Sequence, residues 1–460
     1  MSAIQKKIHD SLYLSWKEGI AAQVMLSLMD YYLIPYGLFL GASTQQTGWL
    51  AAIPHLLASV SQLFAVRVVR LAGSRLRFLV QGTFIQSVLL VPLALLAFLP
   101  SPRRIETLIV LTAAFRITGN LIGTAWGSLM SDYLPPEKRG HYFGWRSQII
   151  GITGVLTMFF AGLLLFALTK IYQPFGFLLL FLIAAICRLI STGLMSRMAD
   201  LPLHQTPDSE FTFLMFVQRL KESNFVKYVL YIAAITFAAH LSAPYLTVFM
   251  LRELHFSYLA YMLVFLGPIL TGLIAFPIWG KHADVVGNAK ILKITSFLIP
   301  LTPMMWLFST HPLYLMLVEM FAGFVWGGFN LCATNYIYDA VSPPKRVRCL
   351  AYANLINGVA IFGGASLGAY LADHLPPLWG SRFYSLFLIA GITRFGAHFL
   401  LSPHFQEVRS TTKKVSSTRL FFSVVGIRPL AGLTREWNVL PAIKPSLFSL
   451  PRVSNPREKD

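Results

Sequence analysis

The sequence predicts an all-α membrane protein, with twelve transmembrane helices in two parallel, pseudo-symmetric six-helix bundles. Three observations carry that expectation. The 460-residue chain is 55% hydrophobic and only 12% charged, about half the charged fraction of a soluble domain. Apolar runs of about 20 residues, enough to cross a bilayer, recur from end to end. One pattern is also written twice. Asp132, Pro136, Lys138, Arg139 and Gly151 return as Asp339, Pro343, Lys345, Arg346 and Gly358, each 207 positions later. Each copy lies between two long apolar segments, so the chain reads as one half-molecule repeated. A second echo, Phe181–Arg188 against Phe387–Arg394, has an offset of 206.

Taken in order, the apolar runs place spans at about 16–40, 46–69, 77–99, 105–131, 143–169 and 175–197. The second six fall at about 226–250, 258–280, 290–309, 312–338, 348–373 and 380–401. The expected domains are an N-terminal bundle (1–198), a linker (199–225), a C-terminal bundle (226–402) and a basic tail (403–460). The linker turns amphipathic over Phe211, Phe213, Leu214, Phe216, Val217 and Leu220, a surface-helix pattern. Twenty basic residues fall in one alternate set of loops. The other set holds five: Arg103, Arg104, Lys170, Arg252 and Arg382. This asymmetry places both termini in the cytoplasm, and the absence of any Asn-x-Ser/Thr sequon fits the expected location, a bacterial inner membrane. The net charge of +19 thus reflects topology and a basic tail that reads either as a solvated, disordered segment or as one lying on anionic inner-leaflet lipid, with no nucleic-acid partner. Cys187, Cys332 and Cys349 have no paired spacing and read as free thiols. No cofactor or metal is expected.

Three local motifs sharpen the picture. Asp132, Pro135, Pro136, Arg139 and Gly140 follow span 4, and Asp339 with Arg346 repeats the arrangement after span 10. Between spans 8 and 9 stand Gly280, Asp284, Gly287 and Lys290. The equivalent loop around Gly73 and Arg75 lacks the aspartate. Together with the duplication, these motifs resemble those of the major facilitator superfamily over about 16–401. The resemblance implies spans 1, 4, 7 and 10 around a central cavity. An ion pair that fixes two helix ends in one conformation must break in the other, so these loops, Asp284 included, are expected to bias an inward–outward equilibrium. Ion pairs Asp132/Arg139 and Asp339/Arg346 are expected there, with topology setting as the plainer role of these bases. Gly119, Gly123 and Gly127 in span 4, and Gly323 and Gly327 in span 10, present small residues every fourth position, which lets helix backbones approach. Gly364-Ala365-Ser366-Leu367-Gly368 matches a hydrolase nucleophile motif. It lies inside a continuous apolar span, so no enzyme is read from it.

A charge at membrane depth is costly and calls for a role. Asp30 sits in mid-span 1, as a proton or cation site or as partner to a neighbouring Arg. Arg116 in span 4, near Asn120, reads as an anion holder or as that partner. Glu319 in span 10 reads as a second titrating site or a boundary residue, and His240 in span 7 as a proton relay or a packing residue. These four fall one in each cavity-lining span of the resemblance, with Tyr31, Trp326 and Asn330 completing an aromatic and polar lining. Arg188 and Arg394, in spans 6 and 12, read as structural or snorkelling residues. The expected function is secondary transport of a small organic solute by alternating access, proton-coupled, in the efflux direction and by a monomer. The alternative is a non-transporting sensor or scaffold that keeps the fold.

Overall fold

The computed structural model describes residues 3–99, 102–134, 136–201, 223–341 and 343–408. The predicted amphipathic linker helix and most of the tail lie outside these residues.

Serines punctuate the helix starts. Ser43 accepts from the Gln46 N–H while the Gln46 side chain accepts from the Ser43 N–H, a reciprocal cap on two otherwise unpaired donors. Ser74, Ser257 and Ser381 also accept backbone N–H groups at helix starts. The N-terminal half contains α1 (Ala3–Phe39), α2 (Thr44–Gln62), the short α3 (Ala65–Leu71), α4 (Arg75–Leu95), α5 (Arg104–Tyr133), α6 (Pro136–Thr169) and α7 (Gln173–Met195). The C-terminal half contains α8 (Asn224–His240), α9 (Ala243–Val248), α10 (Tyr258–Val286), α11 (Asn288–Leu298), α12 (Leu301–Met305), α13 (Pro312–Ala340), α14 (Pro343–His374) and α15 (Arg382–Leu401).

Among the described residues, nine helical segments are long and apolar enough to cross a membrane. Helices α1 and α2 are not among them. The ninth expected span is broken into α11 and α12 around Pro300 and Pro303, because proline cannot donate the i−4 hydrogen bond. The seventh expected span is interrupted at Leu241 and Ser242, between α8 and α9. Arg394 covers both breaks. It donates to the carbonyls of Ala239 (3.1 Å) and Ile299 (3.5 Å) and to the Ser242 hydroxyl (2.8 Å). It and Arg188 are each 5% exposed, so both turn inward and neither snorkels.

Packing repeats the duplication. In the first half α1 packs on α6 and α7, α4 on α5 and α7, and α2 on α5. In the second half α8 packs on α14 and α15, α11 on α13 and α15, and α10 on α13. Two seams join the halves, α2 with α14 and α6 with α10.

The exits of the two halves match as well. After α7, Tyr133 donates to the Ala199 carbonyl and Ser74 to the Asp200 carboxylate (2.6 Å). After α15, Tyr336 donates to the Gln406 carbonyl (2.6 Å) and the Ala289 N–H to the Glu407 carboxylate (2.8 Å). Positions 199 and 406, and 200 and 407, are again 207 apart. Each half is therefore strapped across its own third and fourth spans, with Phe405 fully buried among Tyr228, Tyr231 and Tyr336.

We call the end where α1 starts and α7 and α15 finish the terminal end, and the opposite one the far end. One continuous apolar core joins both halves toward the far end, uniting Tyr32, Tyr36 and Phe177 with Phe249, Tyr261 and Trp306. Toward the terminal end the cores are separate, one around Leu129 and Tyr142, the other around Tyr336 and Phe405.

The glycine stripes divide. Gly327 and Gly328 press on Ala275 and Trp279 of α10, where an added Cβ would lie 2.9 and 2.7 Å from the neighbour. Gly123 and Gly127 have nothing within 4 Å of an added Cβ and face open space. The hydrolase-like glycines are packing residues: Gly364 and Gly368 lie on the carbonyls of Phe237 and Leu241. Gly364→Val is expected to cost about 1–3 kcal/mol by overpacking the seam of α14 with α8. A denaturation midpoint equal to that of the wild type counts against this contact.

Candidate functional site

The far end is sealed. Tyr261 of α10 donates to the Tyr31 carbonyl of α1 (2.7 Å), Gln173 to the Tyr258 hydroxyl (2.8 Å), and Arg252 to the Ala42 carbonyl. Glycines allow the closest approaches. Gly48 of α2 lies beneath Tyr245 and Ala369, and Gly162 of α6 beneath Met262, whose Sδ would be 2.6 Å from an added Cβ. Toward the terminal end Asn330, Thr334 and Asp339 of α13 are exposed, as are Gly123, Gly127 and Ser128 of α5. A cavity of about 390 Å³ opens on the inner face of the first half.

Asp30 and Arg116 meet in this region. The guanidinium donates to the carboxylate at 2.6 Å, with side chains 22% (Arg116) and 46% (Asp30) exposed. The pair is reachable from water yet lies at mid-helix depth in α1 and α5. Arg116 and Asn120 line the cavity, and Tyr31 is half-buried beside them. His240 lies at the end of α8, its Nδ1 2.8 Å from the Thr236 carbonyl. His55 of α2 lies near Arg116 and His240. Sequence reasoning did not name His55. On α13, Trp326 is half-buried against Phe329 and Asn330 is exposed.

Glu319 does not join them. It is 7% exposed and accepts from the Trp306 indole N–H at 2.9 Å. It feels the Arg394 charge inside the second half. Sequence placed it on a cavity helix, but its face of α13 turns inward toward Trp306.

A second acid was missed. Glu18 of α1 has a 4% exposed side chain that lines the cavity. Its oxygens meet the Ser191 hydroxyl (2.9 Å), Arg146 (3.4 Å) and Arg188 (3.8 Å). Arg188 also donates to Gln86 (2.9 Å) and Ser191 (3.0 Å), and Gln86 donates to the Phe115 carbonyl (2.9 Å). A buried network of this kind is costly unless every member is satisfied. The adjacency Lys17-Glu18 reads as a helix-end loop, which hides the acid.

The loop motifs repeat one contact. Asp132 pairs with Arg75, the first residue of α4, at 2.7 Å. Asp339 accepts from Asn288, the first residue of α11, at 2.8 Å. The sequence paired these aspartates with Arg139 and Arg346 in their own loops. The side chains of Arg139 and Arg346, and the placement of Gly140 within α6, add nothing here because they fall outside the described side chains. Asp284 is exposed and Lys290 half-buried. Gly287 has a φ of +91° and its N–H bonds the Ala283 carbonyl at 2.8 Å, a left-handed closure that glycine adopts without strain.

A family model described as Major Facilitator Superfamily matches residues 20–239 and, a second time, residues 228–447. Among solved structures, a variant of the nucleoside transporter NupG is similar at a TM-score of 0.64 and 14% identity, covering 85% of this chain and all of that one. A bacterial homologue of the iron transporter ferroportin, in an inward-facing state, gives 0.63 and 14% over 88% and 99%. A bacterial homologue of the human lysosomal transporter Spinster, inward-facing and occupied, gives 0.60 and 13% over 88% and 98%. No curated protein matches the chain.

Proposed function

The chain belongs to the Major Facilitator Superfamily and is a multi-pass membrane transporter, and from that premise we propose secondary active transport of a small organic solute by alternating access. Protons are the coupling ion and efflux is the direction. The protein works as a monomer in a bacterial inner membrane, with both termini and the terminal end in the cytoplasm. Its basic loops and tail lie against anionic lipid.

The observation that carries this reading is the Asp30–Arg116 pair. The carboxylate and the guanidinium hold one another at 2.6 Å, a contact for which a proton or a substrate can compete. A half-exposed pair beside a far end closed by hydrogen bonds supports a coupling of the two binding events. A scaffold with no cargo has no use for it.

The test uses the purified protein in proteoliposomes. Asp30→Asn is expected to lower proton-driven transport about 100-fold, the scale of losing one positioned proton-transfer group. Substrate exchange without a gradient should persist. Gradient-driven accumulation at the wild-type rate in the Asn variant would remove proton coupling through Asp30.

A further inference from the structure

We propose that the cavity of the first half takes a solute bearing one anionic group, a carboxylate or a phosphate, bound by Arg146 and the indole N–H of Trp126. The inference rests on the transport reading only in calling the bound molecule a substrate.

The charge distribution leads there. Among the described residues three guanidiniums line the cavity, those of Arg116, Arg146 and Arg188, and the one lining carboxylate is Glu18. Asp30 neutralises Arg116. Glu18 is shared between Arg146 and Arg188, and Arg188 has Gln86 and Ser191 besides. Three positive charges therefore face two negative ones, and of the three only Arg146 makes no polar contact shorter than 3.3 Å among the described residues. Its Nε and Nη2 reach the Ser15 carbonyl at 3.3 Å, and Nη2 reaches Glu18 at 3.4 Å. These are long for charge-assisted bonds, which run about 2.7–2.9 Å. Its Nη1 has no hydrogen bond among the described residues.

Trp126 stands against it. The Arg146 guanidinium lies 4.4 Å over the indole ring, which holds the fork in one plane. The Trp126 Nε1 is buried with no acceptor among the described residues, and a buried donor left unmade is expensive. Arg146 and Trp126 both line the cavity and stack on one another, so unused donors and a net positive charge lie together in one wall. A carboxylate or phosphate supplies both the missing charge and the missing acceptors. An organic cation finds its natural partners, Asp30 and Glu18, already held by guanidiniums.

The experiment measures binding to full-length protein in neutral detergent. The probes are 1-naphthoate, 1-naphthyl phosphate, the neutral 1-naphthamide and the cationic 1-naphthylmethylamine. Phosphatidate in mixed micelles is a separate arm. One or both soluble anions should bind more tightly than the amide and the amine. Arg146→Gln is expected to weaken the anion about tenfold or more while leaving the amide unchanged. Trp126→Phe keeps the ring face and removes only the N–H, so a several-fold loss specific to the anion should follow even if the Arg146 variant fails to fold. The proposal is overturned if the amine binds best, or if neither folded variant alters anion affinity. It is equally overturned if no soluble anion binds at millimolar concentration, or if phosphatidate alone does. Anion binding that needs Arg146 without any translocation keeps this inference and removes the transport reading. Proton-driven movement of a cation does the reverse.

Discussion

Glu18→Leu is expected to destabilise the protein by about 3–5 kcal/mol, the usual cost of stripping one partner from a buried ion pair. Glu18 is 4% exposed and serves Arg146, Arg188 and Ser191 together, so its loss leaves two guanidiniums without a counter-charge in the first half. Glu18→Gln keeps an acceptor for Ser191 and should cost less. Combining Glu18→Leu with Arg188→Met should cost less than the sum of the two, because the second change removes a charge that the first orphaned. Thermal denaturation in detergent reads Glu18→Leu, Glu18→Gln, Arg188→Met and the double variant against the wild type. A Glu18→Leu midpoint at the wild-type value would show that water or lipid headgroups already satisfy these guanidiniums.

Gly162→Leu is expected to open the far end. A Cβ at this position would lie 2.6–2.7 Å from the Met262 side chain across the seam of α6 with α10. Overpacking of this kind costs about 1–3 kcal/mol. The strain exists only while the far seal is closed, so the equilibrium should move toward the far-open state about 5–150-fold. The three native cysteines would be replaced by serine and Tyr31 by cysteine. Labelling from the far side with an impermeant maleimide should then accelerate in the Gly162→Leu background. Gly193 of α7 has nothing within 4 Å of an added Cβ, so Gly193→Leu is the control that should leave labelling unchanged. Equal rates in both backgrounds would remove Gly162 from the seal.

Much of the fold was legible because the bilayer imposes it. Apolar length and the 207-residue offset require no knowledge of tertiary contacts. Helices α1 and α2 are less apolar because they carry residues that face protein and water, among them Gln23, Asp30, His55 and Ser59. The Asp30–Arg116 pair was legible as an alternative because both charges stand at membrane depth, where few partners are in reach. The face each helix presents was not legible. Glu319 and Asn330 lie on the same helix, yet one is buried inside the second half and the other is exposed toward the terminal end. Long-range partners were equally hidden: Asp132 and Arg75 are joined only when the starts of α4 and the end of α5 are brought together. Glu18 was lost at a boundary, since a charge beside Lys17 looks like the end of a span.

The matched straps at 199–201 and 405–407 bear on how the chain is made. Asp200 closes on Ser74, and Arg75 donates to the Leu201 carbonyl (3.2 Å), so the first strap uses only residues already synthesised by position 201. A ribosome still translating the second half thus has behind it a first half able to lock its own third and fourth spans. The second strap, ending on Glu407, likewise calls on nothing from the first half. Biogenesis then reduces to two successive closures followed by docking along α2 with α14 and α6 with α10, each half sheltering its buried polar groups before the other arrives.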